Sequence, residues 1–105
     1  MDTAISKNKV PIRMTPERWM HITTGHPEVA DYYYEILETI ENPDVIYEGT
    51  NDAQIAIRRI KEGLDKFVIV IYKETSSEDG FIITAYISKK EQEFIKKKIL
   101  WKQQN

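Results

Sequence analysis

His21 and His26 are the only two histidines in the chain. Imidazole takes up and returns a proton near neutral pH, which suits it to acid or base work on a phosphodiester. His21 stands beside Trp19 and Ile22, and His26 lies just past Gly25, where it also fits the start of a helix. Further along, Thr84, Tyr86 and Ser88 alternate with Ile83, Ala85 and Ile87. A strand period of two sends those three hydroxyls to one face, where they can bind phosphate or a ribose edge. Threonine and tyrosine are also ordinary strand formers, so the row has a plain structural reading too. Arg58 and Arg59 close the preceding alternating stretch and point to opposite faces. A guanidinium holds phosphate through two charge-assisted bonds. Which arginine looks toward the hydroxyl row depends on strand register, since a slip of one residue exchanges them.

Other chemistries find little support. The spacing H-x₄-H lacks the geometry of H-E-x-x-H and has no third ligand nearby, so no metal is expected. With no cysteine there is neither a disulfide nor a thiolate nucleophile. Four glycines form no phosphate-cradling loop, and no serine-hydrolase elbow is present, so no cofactor is expected. Lys96, Lys97 and Lys98 would add sequence-independent attraction to a nucleic-acid backbone.

The elements that must position these residues follow from the pattern. The chain has 105 residues, 41% hydrophobic and 30% charged, which suits one folded domain. Residues 1–12 carry no period and read as a flexible lead-in to a single domain over 13–101. Thr15-Pro16-Glu17 is a helix start, with a capping hydroxyl, a proline at the first turn and an acid facing the dipole. Gly25 is expected to end that helix in a left-handed conformation. A second helix from His26 carries Val29, Ala30, Tyr33, Ile36, Leu37 and Ile40 as one stripe, and Asn42-Pro43-Asp44 stops it. The period then becomes two over Val45–Glu48, 53–60, Phe67–Tyr72 and Phe81–Ser88, with turns at 49–52, 61–65 and 75–80. Residues 89–101 return to a helical spacing. The expected fold is therefore α+β, with N-terminal helices packed on a four-stranded antiparallel β-meander and a C-terminal helix.

Charge is unevenly spread. Residues 15–52 hold nine acids against Arg18 alone, a net of −8, whereas residues 89–105 have a net of +4 within a chain of net −2. Such a split allows an anionic ligand to gather at one end, although solvated helix faces give the same pattern.

The string Thr15-Pro16-Glu17-Arg18-Trp19-Met20-His21-Ile22, followed by His26-Pro27-Glu28 and by Ile40 with Asn42-Pro43-Asp44, resembles the phage-type branch of the barnase–EndoU–colicin–RelE-like (BECR fold) nucleases. Ile57-Arg58-Arg59, Phe67–Tyr72 and Ile82-Ile83-Thr84-Ala85-Tyr86 continue the likeness in order, over roughly residues 12–90. The W-x-H-I…H-P-E string is its distinctive part and the strand segments are generic. The resemblance implies a helix-then-meander fold and metal-independent endoribonuclease activity by 2′-hydroxyl attack, in a toxin-like or phage-derived setting. It makes His21 the acid or base, sets Arg58 or Arg59 against charge on the phosphorane, and puts Thr84 with Tyr86 on phosphate or sugar. His21, Arg59 and Thr84 are the residues preferred for catalysis, and His26, Arg58, Tyr86 and Ser88 fall to substrate binding.

RNA is thus the expected partner, with a protein inhibitor or antitoxin as a second. The competing reading is a non-catalytic interaction module that keeps the nuclease-like fold and offers its acidic helix to a basic protein. No apolar run reaches membrane-spanning length and the N-terminus lacks an apolar leader core, so a cytoplasmic location is expected.

Overall fold

Thr15 and Pro16 turn the chain as their chemistry requires. The Thr15 hydroxyl accepts the Arg18 amide at 3.1 Å, and Pro16 opens helix α1, Pro16–Gly25. In this computed structural model, which describes residues 2–60, 65–89 and 96–104, α1 is followed by a single 3₁₀ turn at Pro27–Val29 and by α2, Tyr33–Glu41. The seven strands are β1 Asp2–Ile5, β2 Pro11–Met14, β3 Val45–Glu48, β4 Gln54–Arg59, β5 Phe67–Glu74, β6 Gly80–Ser88 and β7 Ile99–Lys102. They form one mixed sheet in the order β1-β2-β6-β5-β4-β3-β7.

This corrects the expected fold. The antiparallel run β3-β4-β5-β6 is present, but it is the centre of a seven-stranded sheet rather than the whole of it. Residues 1–12, expected to be a loose lead-in, supply β1 and the start of β2. The two strands form a hairpin, and β2 then joins β6 in parallel. The expected C-terminal helix is replaced at Ile99–Lys102 by β7, which pairs with β3; its stretch over 90–95 lies outside the described residues, as do 61–64 of the expected turn. Branched and aromatic side chains at Ile99 and Trp101 fit a pleated edge, and the partner strand overrides the weak helical spacing. Gly25 also differs: it is the last residue of α1 without a left-handed backbone, and the His26 amide closes the helix onto the Ile22 carbonyl.

Both helices lie on one face of the sheet. Ile22, Val29, Ile36 and Ile40 meet Ile12, Val70, Tyr72, Ile82 and Ala85 there, all of them buried. Tyr33 ties the start of α2 to β1 by donating its hydroxyl to Asp2 at 2.6 Å; burial and that bond push its phenol up to about 12. On the far face Val45, Tyr47, Ile55, Ile57, Phe67 and Ile69 make a second buried cluster across β3, β4 and β5. The β6 side of the far face is only half-buried, and Ile71, Lys73, Phe81, Thr84 and Tyr86 stand there. The acids of α2 therefore belong to the helix side of the sheet.

The parallel joint of β2 with β6 is two residues long, Ile12 opposite Gly80 and Arg13 opposite Phe81. A side chain at Gly80 would place its Cβ 2.6 Å from the Lys73 carbonyl oxygen and 2.6 Å from Ile12 Cδ1. Main chain cannot yield as a side chain can, so Gly80→Ala is expected to destabilise by about 1–3 kcal/mol. Gly25 has open space around its Cβ position, so Gly25→Ala is expected to stabilise α1 by up to about 1 kcal/mol. Urea denaturation of the two variants checks the pair.

Candidate active site

β6 outruns its neighbour. β2 stops beside Phe81, so the outer edge of β6 from Ile83 onward has no strand against it. Helix α1 takes that place. The Arg18 guanidinium donates to the Ile83 carbonyl at 3.2 Å, and two turns further on His26 stacks on Tyr86, with ring centroids 5.5 Å apart and planes at 29°. Glu28 lies 3.6 Å from His26 Nδ1, which sets a carboxylate beside the ring.

Helical geometry places His21 in the same neighbourhood. At 3.6 residues per turn His21 lies about 60° from Arg18 and about 160° from Trp19 around the α1 axis. Trp19 packs into the helix-side core, edge-on to Tyr33 at 4.9 Å. His21, exposed, is accordingly on the flank of α1 turned away from that core, next to the arginine that touches β6. Its ring makes no hydrogen bond, ion pair or ring contact among the described residues. Glu17, one turn earlier, shares that flank at the i, i+4 spacing.

Thr84, Tyr86 and Ser88 all stand on the far face, opposite Ile71, Ile69 and Phe67 of β5, as period two requires. All three are half-buried, and the Thr84 hydroxyl makes no hydrogen bond among the described residues. An irregularity in the β5–β6 ladder between Ile71 and Tyr72 gives β6 one extra residue, Ile83. That bulge presents the Ile83 carbonyl to Arg18, and bulges commonly re-aim side chains in this way.

The two arginines part company. Arg58 turns to the helix side, where it donates to the Asn42 carbonyl, lies 3.7 Å from Glu38 and lines a 160 Å³ cavity with Glu35, Thr39 and Val68. Arg59 sits on the far face in register with Phe67 and hence with Ser88, over the Phe67 ring at 5.7 Å and paired with Asp65 at 2.7 Å. The structure thus gathers His26, Tyr86, Thr84 and Ser88 on or beside β6, adds Arg59 two strands away, sets His21 on the adjoining helix flank, and leaves Arg58 on the other side of the sheet. A second cavity, of 330 Å³, is lined by Met14, Pro16, Trp19 and Tyr33. Neither of these two cavities is lined by a histidine or by the hydroxyl row.

Arg18, Glu28, Lys73 and Phe81 were not singled out from the sequence. Arg18 and Glu28 lie inside the motif string, and only tertiary contact distinguishes them. No group of three or more potential metal ligands occurs among the described residues, and no described helix is long and apolar enough to cross a membrane. Compared with known proteins, the chain matches no family model, no curated protein and no solved structure.

Two predictions concern the charges on the two sides of the sheet. Arg58 is 25% exposed and Arg59 59%. Removing the charge-assisted bond to Asn42 should make Arg58→Ala less stable by about 1.5–2 kcal/mol, whereas Arg59→Ala should lose under about 1 kcal/mol; chemical denaturation separates them. Arg13 donates to Asp79 at 2.8 and 3.1 Å, and that hydrogen bonding holds the Asp79 carboxyl below the usual carboxylate range. A depressed folded-state value stabilises above the unfolded value of about 4 and is lost as pH falls through the folded one. The stability gap between the wild type and Asp79→Asn should therefore be full above about pH 5 and close progressively in acid, as urea titrations at stepped pH would show.

Proposed function

We propose that the protein is a metal-independent endoribonuclease working at the free edge of β6, as the resemblance to the BECR nucleases implies. The observation that carries this reading is the His26–Tyr86 stack beside the unclaimed Thr84 hydroxyl, on an edge that α1 borders with His21. Cleavage forms a bond from the 2′-oxygen to phosphorus and breaks the bond from phosphorus to the 5′-oxygen. It leaves a 2′,3′-cyclic phosphate and a 5′-hydroxyl. A base takes the 2′-hydroxyl proton and an acid returns one to the leaving oxygen, and two imidazoles supply both. His26, oriented by Tyr86 and Glu28, and His21, free on its flank, divide these tasks. Thr84 donates to a phosphate oxygen, Tyr86 and Ser88 bind sugar or phosphate, and Arg59 offsets charge once drawn from Asp65. Arg58 has its part in holding α2 to β4.

A cytoplasmic setting and a protein inhibitor belong to the same reading. The non-catalytic module is favoured by one feature, the cavity on the acidic helix side, which Glu35 and Glu38 line together with Arg58 and Arg59 and which would suit a polar segment of a partner carrying both charges.

A mixed fluorescent RNA incubated in EDTA tests the proposal. Wild type should cleave it, and His21→Ala and His26→Ala should each slow cleavage by about 10²–10⁴-fold with little change in Tm for His21→Ala. Activity equal to wild type in His21→Ala would remove that residue from the chemistry. No cleavage by folded wild type over several RNAs would transfer the assignment to the interaction module, with a host pull-down on the Glu35–Glu38 side as its check.

A further inference from the structure

The far face continues past the hydroxyl row. Phe81 stands between Arg13 on β2 and Lys73 on β5, in register with both. The extra residue at Ile83 decides which way Phe81 looks. Strict alternation would put residues 81 and 84 on opposite faces, but here they lie opposite Lys73 and Ile71, two residues apart on β5 and so on one face. Phe81, Thr84 and Tyr86 then follow one another at steps of roughly 7 Å, since two strand residues span that length. Phe81 is half-exposed, and Lys73 makes no ion pair among the described residues. The Arg13 fork is occupied by Asp79, so Lys73 is the cation at hand.

We propose that Phe81 and Lys73 form a base-stacking subsite one step along β6 from Thr84, which makes single-stranded RNA the substrate class of this face. The inference rests on the ribonuclease reading and extends it. A half-exposed ring in register with an ammonium-bearing residue meets the two surfaces a nucleotide offers, the flat base and the phosphate. The bases of a duplex are stacked on each other and present no free face to Phe81, so a duplex gains nothing from the ring. An acidic protein segment would use Lys73 without needing an aromatic ring at 81, which separates the two occupants.

The test is fluorescence anisotropy with a short 2′-O-methyl oligoribonucleotide, whose blocked 2′-oxygen prevents cleavage, alone and as a blunt duplex, beside a cleavage assay on the unmodified strand. Wild type should bind the single strand and hold the duplex more weakly. Phe81→Leu, which keeps apolar bulk, should weaken single-strand binding about tenfold, and Phe81→Tyr should restore it. Lys73→Ala should lower affinity evenly across sequences and reduce the slope against log salt by about one. If wild type cleaves RNA while Phe81→Leu binds as wild type does, the subsite is overturned and the ribonuclease reading stands. If folded wild type neither binds nor cleaves, the ribonuclease reading falls and the subsite falls with it. Binding that depends on the Phe81 ring without any cleavage would support the subsite and overturn the catalytic assignment.

Discussion

The length of the β2–β6 joint governs what can happen on this protein's surface. Parallel strands with slanted bonds pair for two residues, and then Thr15 and Pro16 end β2 and start α1. Proline has no amide to give to a ladder, and the Thr15 hydroxyl is already committed to the Arg18 amide. Had β2 run two residues further it would have paired with Ile83 and covered the edge that Arg18 and His26 reach. The missing side chain at Gly80 lets the joint form at all, because the Lys73 carbonyl and Ile12 occupy the space a Cβ would take. A helix cap and a glycine, both local features, thus decide that β6 has a free edge and that the edge is bordered by a helix carrying His21.

The bulge at Ile83 is the second device on the same strand. It supplies Arg18 with a carbonyl and shifts the phase of β6 by one residue, so that an aromatic ring, a hydroxyl and a second ring share one face. Both consequences depend on the extra residue. Without the Arg18 bond α1 would lose its polar link to the edge, and without the phase shift Phe81 would face the helices. The joint and the bulge therefore act together on the few residues from Gly80 to Tyr86.

Local chemistry made several of these elements legible in the sequence. Thr15-Pro16-Glu17 opens a helix, the β-branched run of β5 is a central strand, Thr84, Tyr86 and Ser88 share a face, and Arg58 and Arg59 oppose each other. The parts that were not legible depend on partners distant along the chain. β1 is four residues, three of them exposed, and is held by β2 and by Glu41, which accepts the Ile5 amide at 3.0 Å. β7 carries apolar spacing that also fits a helix, and pairing with β3 settles it. Period-two counting puts Phe81 with Ile83 on the wrong face, because nothing within Phe81–Thr84 announces the extra residue. Of the candidate residues, the hydroxyl row could be placed by counting, while the side of each arginine and the stack of His26 on Tyr86 needed the register and the fold.

Charge and shape together limit how such a face could hold RNA. The acids of α2 lie across the sheet from the hydroxyl row, and a layer of about 10 Å is near one screening length at physiological salt. Their repulsion of a polyanion is thereby reduced but not abolished. Glu17 and Glu28 remain on the side of α1, Arg13 is neutralised by Asp79 and Arg59 by Asp65. Little net positive charge is left to bind phosphates, in contrast to proteins that neutralise many phosphates at once and lose affinity steeply with salt. On the proposed reading, affinity for RNA on this face would come chiefly from flat contacts at Phe81 and Tyr86 and from the hydroxyl of Thr84, with Lys73 as a single anchor. A binding mode of that kind is shallow in salt dependence and demanding of unstacked bases, so on the proposed reading the ring at 81, rather than Lys96, Lys97 and Lys98 ahead of β7, is where a strand would lie.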